Sequence, residues 1–251
     1  MARPYLSIII PVYNEAARIP KTLLDIDWRL ARAPYSYEII VVNDGSTDNT
    51  AEVAERMKAA VKNLKVIDNA ENKGKGAAVR HGMLVAGGTV RLFADADNST
   101  SIDHFDRMVP LFKEGYGVVI GSRAAKGASL APAGPLVRRI VGKGSNLAAR
   151  ALLLRGIRDT RCGFKAFTED AAKKVFEIAQ VPGRAFDVEA LALARDMGYR
   201  IAEVPVRWAA DASSRAPLSA GPQFLRDVVR TRWRLSHGGY SPLDTAKETA
   251  A

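Results

Sequence analysis

The sequence predicts an α/β fold, a mostly parallel sheet flanked by helices. Three observations carry that expectation. Short β-branched runs alternate with segments of helical period through the first half of the 251 residues, the pattern of βαβ units. Polar and acidic residues cluster directly after those runs, where ligands lie in such sheets. The composition, 47% apolar and 25% charged, is that of a folded globular chain and excludes wholesale disorder.

The elements follow in order. Leu6–Pro11 is a strand, and Asn14 to Arg32 carries Ile19, Leu23, Ile26 and Leu30 at helical spacing. Glu38–Asn43 is a second strand, ending in Asp44-Gly45-Ser46. Asp48 or Asn49, with Glu52 following, opens a helix to about Lys62. Lys65–Asp68 is a third strand, Gly76–Val85 a helix broken by Gly87-Gly88, and Val90–Ala94 a fourth strand that enters Asp95-Ala96-Asp97. Ser101–Lys113 reads as helix and Gly117–Gly121 as a fifth strand. After residue 123 the pattern changes. A Gly/Ala/Pro/Ser loop at Ala124–Pro135 precedes a basic helix at Leu136–Leu154. Thr168–Gln180 and Phe186–Met197 are two more helices, the second closed by Gly198. Ile201–Trp208 is a strand, Ala209–Pro222 a second loop and Gln223–Leu235 a basic amphipathic helix.

The net charge of +10 is localised. Residues 123–161 hold nine Lys/Arg against one acid, and 223–237 hold four Arg against one Asp, leaving the rest at −1. Two basic patches on a neutral body point to nucleic acid, an anionic membrane surface or phosphate ligands, with a solvated basic helix face as the plain alternative. The single cysteine, Cys162, precludes an intrachain disulfide framework and favours a reducing compartment. No apolar run approaches the ~20 residues that span a bilayer, and no secretory signal is evident, so a cytoplasmic chain is expected.

Three segments carry candidate chemistry. Asp95 and Asp97, at a strand end, can hold a divalent cation that grips a diphosphate; a solvated turn is the alternative. Asp44 can accept hydrogen bonds from a nucleobase or ribose, or simply start a turn before Gly45. Asn72-Lys73-Gly74-Lys75-Gly76 opens a helix and can cradle phosphate, although it matches neither a Walker A loop nor a full dinucleotide fingerprint. Cys162 reads as a packing residue, and His81, His104 and His237 have no metal-ligand spacing.

Together Ser7-Ile8-Ile9-Ile10-Pro11-Val12-Tyr13-Asn14-Glu15, Val42-Asn43-Asp44-Gly45-Ser46-Thr47-Asp48, Asn72-Lys73-Gly74-Lys75-Gly76 and Asp95-Ala96-Asp97 resemble the family 2 glycosyltransferases of GT-A fold. Gly121-Ser122-Arg123, Asp159 to Lys165, Phe186-Asp187-Val188-Glu189 and Glu203 to Trp208 resemble its dolichyl-phosphate glucosyltransferase branch and bacterial polyprenyl-phosphate relatives. The resemblance covers roughly residues 5–210. It implies one catalytic domain over 1–237, with a nucleotide-sugar-binding half at 1–122, an acceptor-binding half at 123–237 and a disordered tail at 238–251.

The resemblance also implies roles. Pro11, Tyr13, Glu15 and Asp44 hold the nucleotide of a UDP-sugar donor, with Lys73 or Lys75 near it. Asp95 and Asp97 hold Mg²⁺ or Mn²⁺ against the diphosphate. Arg123 and Arg138 meet the phosphate of a polyprenyl acceptor, and Asp159 and Asp187 line the reaction centre. Gly142 stands where a small hydroxyl residue is expected to help hold that phosphate. The implied activity is inverting, metal-dependent sugar transfer to a polyprenyl phosphate, by a chain in peripheral contact with an anionic membrane at its inner face, with a homo-oligomer left open. A family 2 enzyme with a hydroxyl acceptor would not call for the basic concentration from Arg123 to Arg161. A basic nucleic-acid-binding protein would not place acids at three strand ends, and 123–161 contains no aromatic residue to stack bases. No nucleic-acid partner is therefore expected.

Overall fold

The computed structural model describes residues 3–130, 136–209 and 220–240, leaving out the side chains of 136–143 and 220. A seven-stranded sheet forms from β1 (Leu6–Val12), β2 (Tyr37–Asp44), β3 (Leu64–Asn69), β4 (Val90–Ala94), β5 (Val118–Ser122), β7 (Phe164–Thr168) and β8 (Ile201–Pro205), in the order β3-β2-β1-β4-β7-β5-β8. A short parallel pair, β6 (Ser129–Leu130) with β9 (Arg207–Trp208), stands apart. Only β7 runs antiparallel, between β4 and β5. The expected mostly parallel sheet is therefore the observed one.

The five strands expected in the first half of the chain are present, each within two residues of its expected ends. β1 and β2 are apolar on both faces because both faces are covered. Ile9 joins one core layer with Ala78, Met83 and Val188, while Ile8 and Ile10 join the opposite layer with Leu23 and Ile26, the alternation a strand imposes. The helices are α1 (Ile19–Leu30), α2 (Thr50–Met57), α3 (Lys75–Val85), α4 (Val109–Lys113), α5 (Leu136–Leu152), α6 (Glu169–Ile178), α7 (Phe186–Asp196) and α8 (Ala220–Ser236). Gly198, at φ +83°, closes α7 as expected, its N–H donating to the Arg195 carbonyl.

Four expectations are corrected. The helix read at Ser101–Lys113 is a 3₁₀ turn, Ile102–Arg107, followed by α4; Pro110, which lacks an N–H, sits in the first turn of the new helix. α2 ends at Met57 rather than near Lys62. The strand read at Ile201–Trp208 divides at Val206 into β8 and β9. β7 was not foreseen at all: its sequence, Phe-Lys-Ala-Phe-Thr, carries a fully buried Lys165. The residues from 238 to 240, expected to begin a disordered tail, are tied down: Gln180 donates to the Gly239 carbonyl and the Tyr240 hydroxyl donates to Glu189. The rest of the expected tail, 241–251, lies outside the described residues.

The parallel strands point their carboxyl ends the same way, so the loops after β1, β2, β4 and β5 meet at one edge of the sheet.

Candidate active site

The loops after β1 and β2 are knitted together by one side chain. Asn14, at φ +56°, accepts from the N–H groups of Thr47 (2.8 Å) and Asp48 (3.2 Å), and its own N–H donates to Ser46 Oγ (2.9 Å). Pro11 is buried inside β1, and Tyr13 stands exposed just beyond it. The Glu15 carboxylate accepts two hydrogen bonds from Arg18, at 2.8 and 3.1 Å, a partner that sequence reading missed. Asp44 is 3% exposed, and its two carboxylate oxygens accept from the N–H groups of Lys73 (3.0 Å) and Gly74 (2.9 Å). It thus shapes the glycine-rich loop, and each oxygen retains a lone pair for a ligand.

That loop needs its glycines. Gly74 adopts φ +101°, and a Cβ there would lie 2.6 Å from the Pro182 oxygen. The Gly76 N–H donates to that oxygen at 2.7 Å, and a Cβ on Gly76 would come within 2.4 Å of the Val181 oxygen. The segment that presses on the loop is held by Glu189. This fully buried carboxylate accepts from the N–H groups of Gln180 and Val181 and from the Tyr240 hydroxyl. Burial holds the Glu189 carboxyl above its ordinary pKa, outweighing those bonds. Lys73 points outward to Glu71, 3.7 Å away, whereas Lys75 turns inward and pairs with Asp95.

Asp95 leaves β4 with its N–H on the Gly163 carbonyl (3.1 Å), and a Cβ on Gly163 would lie 2.0 Å from Asp95 Oδ2. The bare glycine is a cradle for that carboxylate. Asp97 accepts from the Ser99 N–H through Oδ1 (2.9 Å). Among the described residues no group of three or more His, Cys, Asp or Glu gathers to hold a metal ion. Two carboxylates fit a hard divalent cation that completes its shell with diphosphate oxygens and water, the usual way Mg²⁺ is bound.

The other side of the site is organised by ion pairs. Asp159 is 4% exposed and receives Arg123 through Nε (2.7 Å), Nη2 (3.0 Å) and the backbone N–H (2.9 Å), with the Arg161 N–H as a further donor. Burial pushes the Asp159 carboxyl up, but the Arg123 hydrogen bond and charge outweigh it and hold the group down at about 2. Glu203 in turn accepts the N–H groups of Arg158 and Asp159. Asp187 pairs with Lys165 at 3.2 Å, and Lys165 also donates to the Cys162 carbonyl (2.6 Å). The Cys162 thiol is buried, and burial pushes it up to about 11, so it offers no ready nucleophile.

The structure therefore brings Asp159 to Arg123 and Asp187 to Lys165, and brings Lys75 to Asp95. It leaves Lys73 and Tyr13 at the rim. Arg138 lies in α5 together with Gly142, and the Arg138 side chain falls outside the described part of the structure. Sequence reading missed three contributors: Glu203, Trp208, whose ring lies 5.5 Å from the Arg123 guanidinium, and Arg161, which stacks on Phe224 of α8 at 4.6 Å. All three stand inside segments already singled out in the sequence, as does Phe224 within the helix read at Gln223–Leu235. β9 also touches the other side, where the Ala209 N–H donates to the Ser99 carbonyl.

α8 packs through Phe224, Val228 and Thr231 and exposes Leu225, Val229 and Trp233 beside Arg226, Arg230 and Arg232. No helix among the described residues is long and apolar enough to cross a membrane.

Comparison with known proteins agrees with this geometry. The family model for glycosyl transferase family 2 matches residues 7–176. A dolichyl-phosphate β-glucosyltransferase of Dictyostelium discoideum is 37% identical over 243 residues, covering 92% of this chain and 74% of that protein. The Drosophila melanogaster protein of the same name is 38% identical over 89% of this chain and 73% of its own, and the Homo sapiens protein is 33% identical over 96% and 79%. Among solved structures, glucosyl-3-phosphoglycerate synthase of Mycobacterium tuberculosis in complex with Mn²⁺, UDP and glucosyl-3-phosphoglycerate superposes with a TM-score of 0.65 at 21% identity, covering 92% of this chain and 80% of that one. Helix-flanked parallel sheet, clustered strand-end loops and matched family model agree: the chain belongs to glycosyl transferase family 2 and is a glycosyltransferase of GT-A fold.

Proposed function

We propose that this chain moves a sugar from a UDP-sugar to a dolichyl-type polyprenyl phosphate, in one inverting displacement assisted by Mg²⁺ or Mn²⁺. The observation that carries the reading is the cationic side of the site: Arg123 held in a fork by buried Asp159, with Arg161 beside it and the diphosphate-side carboxylates Asp95 and Asp97 across the β9 contact. A forked, immobilised guanidinium matches a phosphate. The names of the relatives support the same acceptor class.

Near pH 7 a phosphate monoester is largely dianionic, since its second pKa is ≈ 6. It can attack the anomeric carbon without surrendering a proton. The new bond forms from the acceptor oxygen to that carbon as the bond to the diphosphate oxygen breaks, and the electron pair leaves on UDP. Arg123 and Arg161 offset repulsion between two anionic reactants. Asp95 and Asp97 would hold the cation, which neutralises charge on the leaving diphosphate. One-step displacement inverts the centre and needs no protein nucleophile; Asp159 and Asp187 are both engaged with cations, which suits positioning. Pro11, Tyr13, Glu15 and Asp44 line the nucleotide side, where Asp44 acts on the loop of Lys73 and Lys75.

The exposed Leu225–Val229–Trp233 stripe, flanked by arginines, supports peripheral contact with an anionic bilayer, and the one buried, unpaired cysteine is consistent with its inner face. A panel of nucleotide sugars with Mg²⁺ or Mn²⁺ and a short polyprenyl phosphate, with products read by mass, tests the activity. Transfer only to free hydroxyls would overturn it. Replacing Leu225, Val229 and Trp233 together by serine leaves the packed face intact and should abolish salt-sensitive co-sedimentation with anionic vesicles.

A further inference from the structure

Asp95 already has a cation. The Lys75 ammonium hydrogen-bonds and ion-pairs with its Oδ1. The placement of Lys75 is not a loose surface contact, because the start of α3 is tied on both sides of it. The N–H groups of Lys73 and Gly74 are fixed by Asp44, and that of Gly76 by the Pro182 carbonyl. On the far side of Asp95, the bare Gly163 keeps the carboxylate seated. Asp97, the second carboxylate, has Oδ1 engaged by the Ser99 N–H.

A divalent cation arriving alone at Asp95 must therefore take lone pairs that the ammonium holds, and must accept a like charge next to it. A nucleoside diphosphate changes both terms. Its oxygens offer Lys75 a new anionic partner and complete the shell of the metal. We propose that Lys75 is the chain's own occupant of the cation position at Asp95, which suppresses metal binding in the empty enzyme and makes metal and diphosphate bind cooperatively. The inference rests on the assignment of Asp95 and Asp97 as metal ligands. By linkage, whatever factor the diphosphate adds to metal affinity the metal adds to diphosphate affinity.

The test measures Mn²⁺ binding directly, by loss of the free-ion electron paramagnetic resonance signal, without nucleotide and then with saturating UDP. Wild-type protein should bind Mn²⁺ at least tenfold more tightly with UDP. Lys75→Met should bind Mn²⁺ alone at least tenfold more tightly than wild type and lose a similar factor of the UDP effect. Lys75→Arg, which keeps the charge, should stay weak. Lys75→Gln repeats the measurement if the methionine variant melts early. The inference is overturned by itself if UDP promotes Mn²⁺ uptake in wild type, Asp97→Ala abolishes that uptake, and Lys75→Met shows no gain in binding Mn²⁺ alone. Absence of Mn²⁺ uptake in every form, even with UDP, overturns both the metal assignment and the inference.

Discussion

On the side of the site built by β1, β2 and β4, Asp44 and Asp97 are held by backbone N–H groups, Asp44 by those of Lys73 and Gly74 and Asp97 by that of Ser99, while Glu15 pairs with Arg18. On the side built by β5, β7 and the loop from Asp159, carboxylates are held by cations: Asp159 by Arg123, Asp187 by Lys165. A backbone N–H is a neutral dipole, so the first arrangement fixes an anion and leaves its charge uncancelled. An ion pair cancels the anion and fixes the cation, so the second arrangement immobilises the partly exposed Arg123 guanidinium and the wholly buried Lys165 ammonium. Asp95, paired with Lys75, stands where the two arrangements meet.

Four changes would break or sharpen this contrast. The largest effect is expected from Asp97→Ala, which should lower kcat/KM at least ~10³-fold with the melting temperature nearly unchanged, because the leaving diphosphate loses its counter-charge. A loss under tenfold in a transfer assay would show that the side built by β1, β2 and β4 does not serve a metal.

Next comes Arg123→Ala, which strands the buried Asp159 carboxylate. It should cost about 3–5 kcal/mol in urea unfolding, the range for breaking a buried pair, and about 10²-fold or more in kcat/KM. Arg123→Ala combined with Asp159→Asn should recover most of the stability and none of the activity. Recovery of both would make the pair purely structural.

Asp44→Ala removes the acceptor of two loop N–H groups, and should cost about 2 kcal/mol and raise KM for the nucleotide sugar. Asp44→Asn, which keeps one carbonyl acceptor, should fall between. An unchanged KM would detach the loop from the donor.

The smallest effect is a pH dependence. Asp159 is held at about 2, below its ordinary 3.8, so its contribution to stability is present above about pH 4 and is lost as pH falls through about 2. That is about 2 kcal/mol across the window, at 1.36 kcal/mol per unit. Chemical denaturation from pH 5 to pH 2 should show this loss in wild type, and Asp159→Asn should lack it.

Much of the first side was legible in the sequence. β1, β2 and β4 are covered on both faces and so read as mainly apolar runs even with Ser7 and Arg91 inside them, and the residues after them fall at strand ends by arithmetic. The second side was legible as motifs but not as geometry. Asp159 and Arg123 are 36 residues apart, and nothing local names either as the other's partner. β7 escaped because Lys165 interrupts its apolar character, and that lysine is tolerable only because Asp187 and the Cys162 carbonyl receive its ammonium.

The sequence by itself determined the α/β alternation, the family and the positions of the acids at strand ends, because these depend on local periodicity and on contiguous motifs. The tertiary structure decided which charge each acid keeps. Asp44, at the end of β2, meets backbone 29 residues away just beyond β3, and Asp159, ahead of β7, meets a guanidinium 36 residues away just beyond β5; the pairing of β2 with β3 and of β5 with β7 closes those distances. A carboxylate's chemistry is set by what faces it, and what faces it is set by packing.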